Sequence, residues 1–168
     1  TCALPILMDT LRAEALGFLG VAESATHHEM AELYAKALPA YIEKGAEFEL
    51  VDAKLKEFDL EKLGKAIDHE RDQQFTYLGL QTLYDRYFIH KDGIRFELPQ
   101  IFFMRVAMGL AIEEKDREAR AIEFYNLLSS FDYMSSTPTL FNAGTLRPQL
   151  SSCYLTTVPD DLSGIYGA

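Results

Sequence analysis

Over the first 134 positions apolar residues recur at three- and four-residue steps, the spacing of one face of a helix. Residues 9–19 (DTLRAEALGFL) read as a helix with Asp9 or Thr10 as N-cap and Gly20 as its stop. A clearer helix is predicted over 26–44, ended by Gly45, with Met30, Leu33, Tyr34, Leu38, Tyr41 and Ile42 in one stripe. Pro39 falls inside that stripe and is expected to kink or split it, since its ring lacks an N–H and crowds the preceding turn. Asp52 and Asp59 each open a short helical piece whose apolar positions are Leu55, Phe58, Leu63 and Ile67. A charged start at 68–71 (DHER) leads into Phe75, Leu78, Leu83 and Tyr87 in helical array.

That helix gives way to two short apolar runs, 87–89 and 94–96, on either side of His90, Lys91, Asp92 and Gly93. An Asp-Gly pair between such runs predicts a small β-hairpin. Pro99, near the first turn of the next helix, costs little there because that N–H has no helical partner. From 101 to 112 (IFFMRVAMGLAI) only Arg105 is strongly polar, so this helix is expected at the centre of the fold. A surface turn at 113–116 precedes a last helix, 117–134, with Ala121, Phe124, Tyr125, Leu128 and Phe131 inward.

The texture then changes. In 135–162 (SSTPTLFNAGTLRPQLSSCYLTTVPDDL) acids are absent until Asp160, and Ser, Thr, Pro, Gly and Asn crowd between short apolar runs. This predicts turn, strand, turn, strand, the second strand being 154–158. The chain shows no internal repeat and no low-complexity linker.

A length of 168 residues suffices for one core, burying ~70% of the unfolded surface at this size. A hydrophobic content of 48% excludes a disordered chain. A net charge of −10 argues against nucleic acid, whose binders draw affinity from Lys and Arg, but leaves room for a small anion. No apolar run approaches the ~20 residues of a membrane span. Residues 1–8 (TCALPILM) lack the basic start of a signal peptide. The two cysteines, Cys2 and Cys153, make neither a disulfide framework nor a zinc site, so a reducing, cytoplasmic setting is expected. With no initiator Met and an end at SGIYGA, the chain is expected to be a segment of a longer protein.

Cys153, between Ser151, Ser152 and a β-prone run, is the leading candidate for chemistry. The residues alone leave two readings: a buried, inert thiol, or one activated by a lowered pKa. His27 and His28 adjoin Glu23, Glu29 and Glu32, but neighbours on a helix point about 100° apart. No Glu-x-x-His pair occurs, so no metal ligands are assigned and a solvated helix start is expected. His69 and His90 read as surface or capping residues, and the acidic runs as solvated faces. Neither a GxxxxGK[ST] nor a GxGxxG loop is present. After Pro159, Asp160 or Asp161 either caps a helix beginning at Leu162 or accepts from a sugar hydroxyl.

The string S-x-P-T-L-F-N-A-G-T-x-R-x-Q-L-S-S-C, followed by a short strand and D-x-L, resembles the large catalytic subunit of class I ribonucleotide reductase. IDHERDQQFTYLGLQTLYDRYF and ELPQIFFMRVAMGLA resemble the region that precedes the catalytic barrel in that family, so the likeness spans most of the chain. The resemblance implies a mainly α fold: a helical region over 1–134 leading, from 135 to 168, into the first strands of a ten-stranded α/β barrel. It implies reduction of ribonucleoside diphosphates to 2′-deoxy products by a thiyl-radical mechanism. Cys153 is then one member of the reducing cysteine pair and a proton donor to the departing 2′-hydroxyl. Thr137, Ser152 and Cys153 correspond to substrate-binding positions, and Asp160, Asp161 and Leu162 to the site of a deoxynucleotide effector.

The family's radical-bearing cysteine (in Asn-x-Cys-x-Glu), the disulfide partner of Cys153 and the C-terminal thiols are expected beyond Ala168. The N-terminal ATP-cone is expected before Thr1, with at most its last helix retained. The resemblance further implies a small metal-containing subunit supplying the radical, ATP or dNTP effectors, thioredoxin or glutaredoxin as reductant, and a homodimer of the large subunit. This segment itself is expected to bind no cofactor directly. Three alternatives stand beside this reading: a helical protein-interaction module, an adenosylcobalamin-dependent reductase sharing the barrel, and a thiol hydrolase.

Overall fold

A computed structural model describes residues 2–147 and residue 150. The described chain is mainly helical, in the order α1 (Ala3–Leu19), α2 (Met30–Glu47), α3 (Leu60–Ala66), α4 (Tyr77–Thr82), β1 (His90–Lys91), β2 (Ile94–Arg95), α5 (Pro99–Ala111), α6 (Arg117–Ser129) and α7 (Thr137–Asn142). Two 3-10 turns, Ala53–Glu57 and His69–Gln74, and one π-helical turn, Leu83–Tyr87, complete it.

The helix at 101–112 is central, as its composition demands. In α5 every residue from 99 to 108 is buried. It packs along α6 and against α2, while α1 flanks α2 and α3 closes on both α2 and α6. The predicted stripe of α2 supplies Met30, Tyr34, Leu38, Tyr41 and Ile42 to the core.

Several boundaries differ from expectation. α1 begins six residues before Asp9, and Thr10 is no cap: its hydroxyl donates to the Ile6 carbonyl at 2.9 Å, inside the helix. α2 runs through both Pro39 and Gly45. Leu38, Tyr41 and Ile42 around the proline are fully buried, and that burial outweighs the lost hydrogen bond. The reversal comes instead at Glu49, with φ 58°.

The single helix expected after 68 divides into a 3-10 turn, α4 and the π-turn, because Asp68 and Thr76 each accept a bond from a backbone N–H two or three residues on and restart the chain. Leu78 consequently faces solvent, 73% exposed, instead of joining the stripe. α6 stops at Ser129 rather than 134, and Phe131, at φ 63°, turns partly outward.

The hairpin is present but short: His90 pairs with Arg95 and Lys91 with Ile94, antiparallel. Asp92 and Gly93 both take positive φ (52° and 81°), the turn that matches strand twist. Where the sequence predicted a turn and strand after 135, residues 137–142 form the short helix α7, with Pro138 in its first turn. The predicted strand 154–158 lies outside the described residues.

Candidate functional site

α7 is held from below by one buried side chain. Arg105, fully buried in α5, donates from its Nη1 to the carbonyls of Leu140 (3.0 Å), Phe141 (3.3 Å) and Ala143 (2.9 Å). These carbonyls at the C-terminal end have no helical donors, and the cation meets the negative end of the helix dipole. The other face of the guanidinium forms a two-point pair with Glu97, Nε to Oε2 and Nη2 to Oε1, both 3.0 Å. Glu97 also accepts from the Tyr41 hydroxyl and from the Ile89 N–H at 3.2 Å, which ties the hairpin into the same cluster. Burial works against the charge on Arg105, but Glu97 outweighs it and raises the pKa. Burial and the same carboxylate push the Tyr41 phenol well above its ordinary value.

The turn after α7 presses directly on α5. A Cβ built on Gly109 meets the Gly144 nitrogen at 2.0 Å, and one on Gly144, at φ 78°, meets the Arg105 carbonyl at 2.7 Å. Only two glycines allow that approach. Asp52 N–H then donates to the Gly144 carbonyl at 2.9 Å.

Above this anchor, α7, the π-turn and the hairpin enclose an open cleft of about 680 Å³. Thr137 and Pro138 line one wall, Tyr87, Ile89 and His90 the other, with Arg86 and Arg147 on the same cleft. Tyr87 stacks on Phe141 with ring centroids 4.8 Å apart and its hydroxyl is 3.4 Å from the Thr137 Oγ1. Among the described residues Arg86 and Arg147 make no ion pair. At the foot of α7, Thr139 Oγ1 donates to the Leu150 carbonyl at 2.8 Å and Ser136 Oγ to the same oxygen at 3.2 Å. The helix that carries Thr137 thus also fixes Leu150, three residues before Cys153 in sequence.

A second buried polar cluster stiffens the other end. Asp72 receives Arg12 (3.3 Å), the Tyr34 hydroxyl (2.8 Å) and Gln100 Nε2 (2.9 Å), and Tyr125 donates to Gln100 Oε1 at 2.7 Å. Burial raises the pKa of Asp72 and of Tyr34, and raises Tyr125 to about 12.

Of the sequence-predicted site residues, Thr137 is exposed on the cleft. Ser152, Cys153, Asp160, Asp161 and Leu162 lie outside the described residues. Sequence reasoning marked Arg105 as the one strong polar residue of its helix but did not find its partners. That solitary charge was the available signal, since a buried guanidinium requires a carboxylate. The four histidines do not all sit apart: His27, His69 and Glu70 converge, with ligand atoms within 4.8 Å of one another.

Residues 73–148 match the family described as ribonucleotide reductase, all-alpha domain. The chain is 50% identical over 165 residues to the ribonucleoside-diphosphate reductase subunit alpha of Chlamydia trachomatis, covering 98% of this chain and 15% of that protein. It is 44% identical over 152 residues to the same subunit of Helicobacter pylori, covering 89% of this chain and 18% of that protein. The large chain of Schizosaccharomyces pombe is 49% identical over 107 residues, covering 63% of this chain and 13% of that protein. The chain thus spans only about 15% of the length of the first of these relatives. With the helical fold and the SSTPTLFNAGT segment on its cleft, this chain belongs to the ribonucleoside-diphosphate reductase large-subunit family.

Proposed function

We propose that this chain is the part of a ribonucleotide reductase large subunit that carries helices up to the catalytic barrel and brings in the first thiol of the reducing pair. The observation that carries the proposal is the double duty of α7. Its Thr137 faces the cleft, while Ser136 and Thr139 hold Leu150 at the entry to the segment bearing Cys153. Arg86 and Arg147, which make no ion pair among the described residues, outnumber the single carboxylate of Glu49 on that cleft and give it charge that suits an anionic diphosphate.

In the proposed reaction a thiyl radical on another cysteine of the parent protein takes the 3′-hydrogen of a ribonucleoside diphosphate and later returns it. The 2′-hydroxyl accepts a proton and leaves as water. Two thiols, Cys153 and its partner, supply two electrons and become a disulfide. Thr137 and Ser152 bind the substrate, and Asp160, Asp161 and Leu162 bind the deoxynucleotide effector. The strands of a ten-stranded α/β barrel start after residue 134. The radical comes from a small metal-containing subunit, thioredoxin or glutaredoxin resets the disulfide, the large subunit is a homodimer, and the setting is cytoplasmic. Among the described residues no helix is long and apolar enough to cross a membrane.

This mechanism needs three thiols, and the chain has two cysteines, so the chain alone reduces no nucleotide. The test uses the full-length large subunit carrying this segment, with its small subunit and thioredoxin. Cys153→Ser should lower dCDP formation from CDP by on the order of 10²-fold or more, since an acid–base group alone contributes that much. Thr137→Val should raise KM for CDP. Thioredoxin-driven turnover at the parent rate by Cys153→Ser would overturn the proposal.

A further inference from the structure

Away from the cleft, three ligand-type side chains from separate elements meet. His27 stands in the turn before α2, and His69 and Glu70 open the 3-10 turn His69–Gln74. His27 Nε2 lies 3.3 Å from Glu70 Oε2, and His69 Nε2 lies 3.0 Å from Glu70 Oε1. The His27 and His69 rings are 5.0 Å apart, and all three donor atoms fall within 4.8 Å. Ligands at ~2.0–2.1 Å around a tetrahedral zinc stand ~3.3–3.5 Å from one another. Each imidazole nitrogen therefore stands about one such edge from a Glu70 oxygen, His27 from Oε2 and His69 from Oε1, and a small rotation of the exposed carboxylate would bring one oxygen to both.

The third observation is independent of spacing. His27 Nε2 is buried and has no hydrogen-bond partner, even though a carboxylate oxygen is 3.3 Å away. The distance suits a shared cation, whereas the alignment does not suit a hydrogen bond. A buried ring nitrogen without a partner is rare and costly.

Both halves of the cluster are preset. Asp68 accepts from the Glu70 N–H at 3.0 Å, and Tyr125 accepts from the Asp68 N–H at 3.1 Å. Arg71 reaches Asn126 Oδ1 (2.9 Å) and Ser129 Oγ (2.6 Å) on α6. On the other side, the Thr26 hydroxyl donates to Glu29 Oε1 at 2.8 Å and fixes the turn carrying His27. Two imidazoles and one carboxylate, with the Glu70 side open to water, form a nitrogen-rich set that selects zinc or its first-row neighbours over magnesium or calcium.

We propose that His27, His69 and Glu70 bind one zinc-class divalent cation, with water as fourth ligand, and that the ion clamps the entry of α2 to the turn His69–Gln74. The proposal is independent of the reductase reading. To test it, the chelator-stripped 168-residue chain is titrated with Co(II), then with Zn(II). One equivalent of cobalt should give visible bands of tetrahedral intensity, which zinc displaces. Saturating zinc should raise Tm by roughly 5–10 °C. Glu70→Gln, an exposed position that cannot unfold the chain by loss of packing, and His69→Gln should each weaken cobalt binding about 10-fold or more. His28→Gln, at the exposed neighbour, should leave it unchanged. An absent cobalt spectrum, or one that survives both Glu70→Gln and His69→Gln at full affinity, defeats the proposal.

Discussion

The Arg105 guanidinium lies 2.9 Å from the Ala143 carbonyl and 3.0 Å from Glu97, so one fully buried cation joins the central helix to the helix on the cleft. Removing one member of such a pair strands the other charge. Glu97→Ala should therefore cost ~3–5 kcal/mol in urea unfolding. Arg105→Met combined with Glu97→Gln should recover part of that loss, because no uncompensated charge remains. Equal stability of Glu97→Ala and the parent chain would contradict the buried pair.

The two-glycine contact between α5 and the turn after α7 leaves no room for a methyl group. Gly109→Ala and Gly144→Ala should each destabilise by ~1–3 kcal/mol, with Gly144→Ala carrying added strain from its positive φ. Gly17, in α1, has nothing within 4 Å of an added Cβ. Gly17→Ala should stabilise by ~0.5–1 kcal/mol, since alanine loses less backbone freedom in a helix. The three midpoints, measured side by side, separate steric closeness from helix propensity.

What the sequence could and could not disclose follows from the range of each interaction. The apolar stripe of α2 and the unbroken apolar run of α5 are local patterns, and both proved to be core. The Asp-Gly turn was equally local. Helix limits were missed where distant burial or a side-chain cap decided them: α2 passes Pro39 because Leu38, Tyr41 and Ile42 are buried, and the stretch from 68 breaks where Asp68 and Thr76 cap. The Thr, Pro and Asn of 137–142 predict turn and strand, yet Pro138 suits a first helical turn and Arg105 supplies the missing donors at the far end. No local rule contains a guanidinium from another helix. The same limit hid the meeting of His27 with His69 and Glu70, since the residues local to His27 are His28, Glu23, Glu29 and Glu32.

Tyr34 and Tyr41 are buried against carboxylates, and burial, the largest cause, raises both phenols well above 10; Tyr84 and Tyr125 are raised to about 12. A raised folded-state pKa gives stability that is complete below the unfolded value of about 10 and is lost as pH climbs through the folded value. The chain should therefore resist ionisation of these four phenols until it unfolds. The chain has nine tyrosines, and the share of the 295 nm absorbance change that belongs to these four should appear only together with loss of helical circular dichroism, above pH ~10. Ionisation of all nine phenols on an intact helical spectrum would count against the buried clusters.

Asp72 offers the corresponding test in acid. Burial raises its pKa although Arg12, Tyr34 and Gln100 all favour the ionised form. Below the ordinary carboxylate value of about 4 both folded and unfolded chains hold this proton. As pH rises past that value the unfolded chain releases it first, and the folded chain holds it up to the raised value. Across that window the unfolded state binds fewer protons, so the contribution of Asp72 to stability falls as pH climbs. Asp72→Asn does not titrate there and keeps an acceptor for Tyr34 and Gln100, but it leaves Arg12 without its carboxylate. The variant therefore has its own baseline, and the slope carries the test. Urea midpoints taken at intervals upward from pH ~4 should fall more steeply for the parent chain than for Asp72→Asn. Parallel slopes would mean that the Asp72 carboxyl ionises as easily inside the protein as in water.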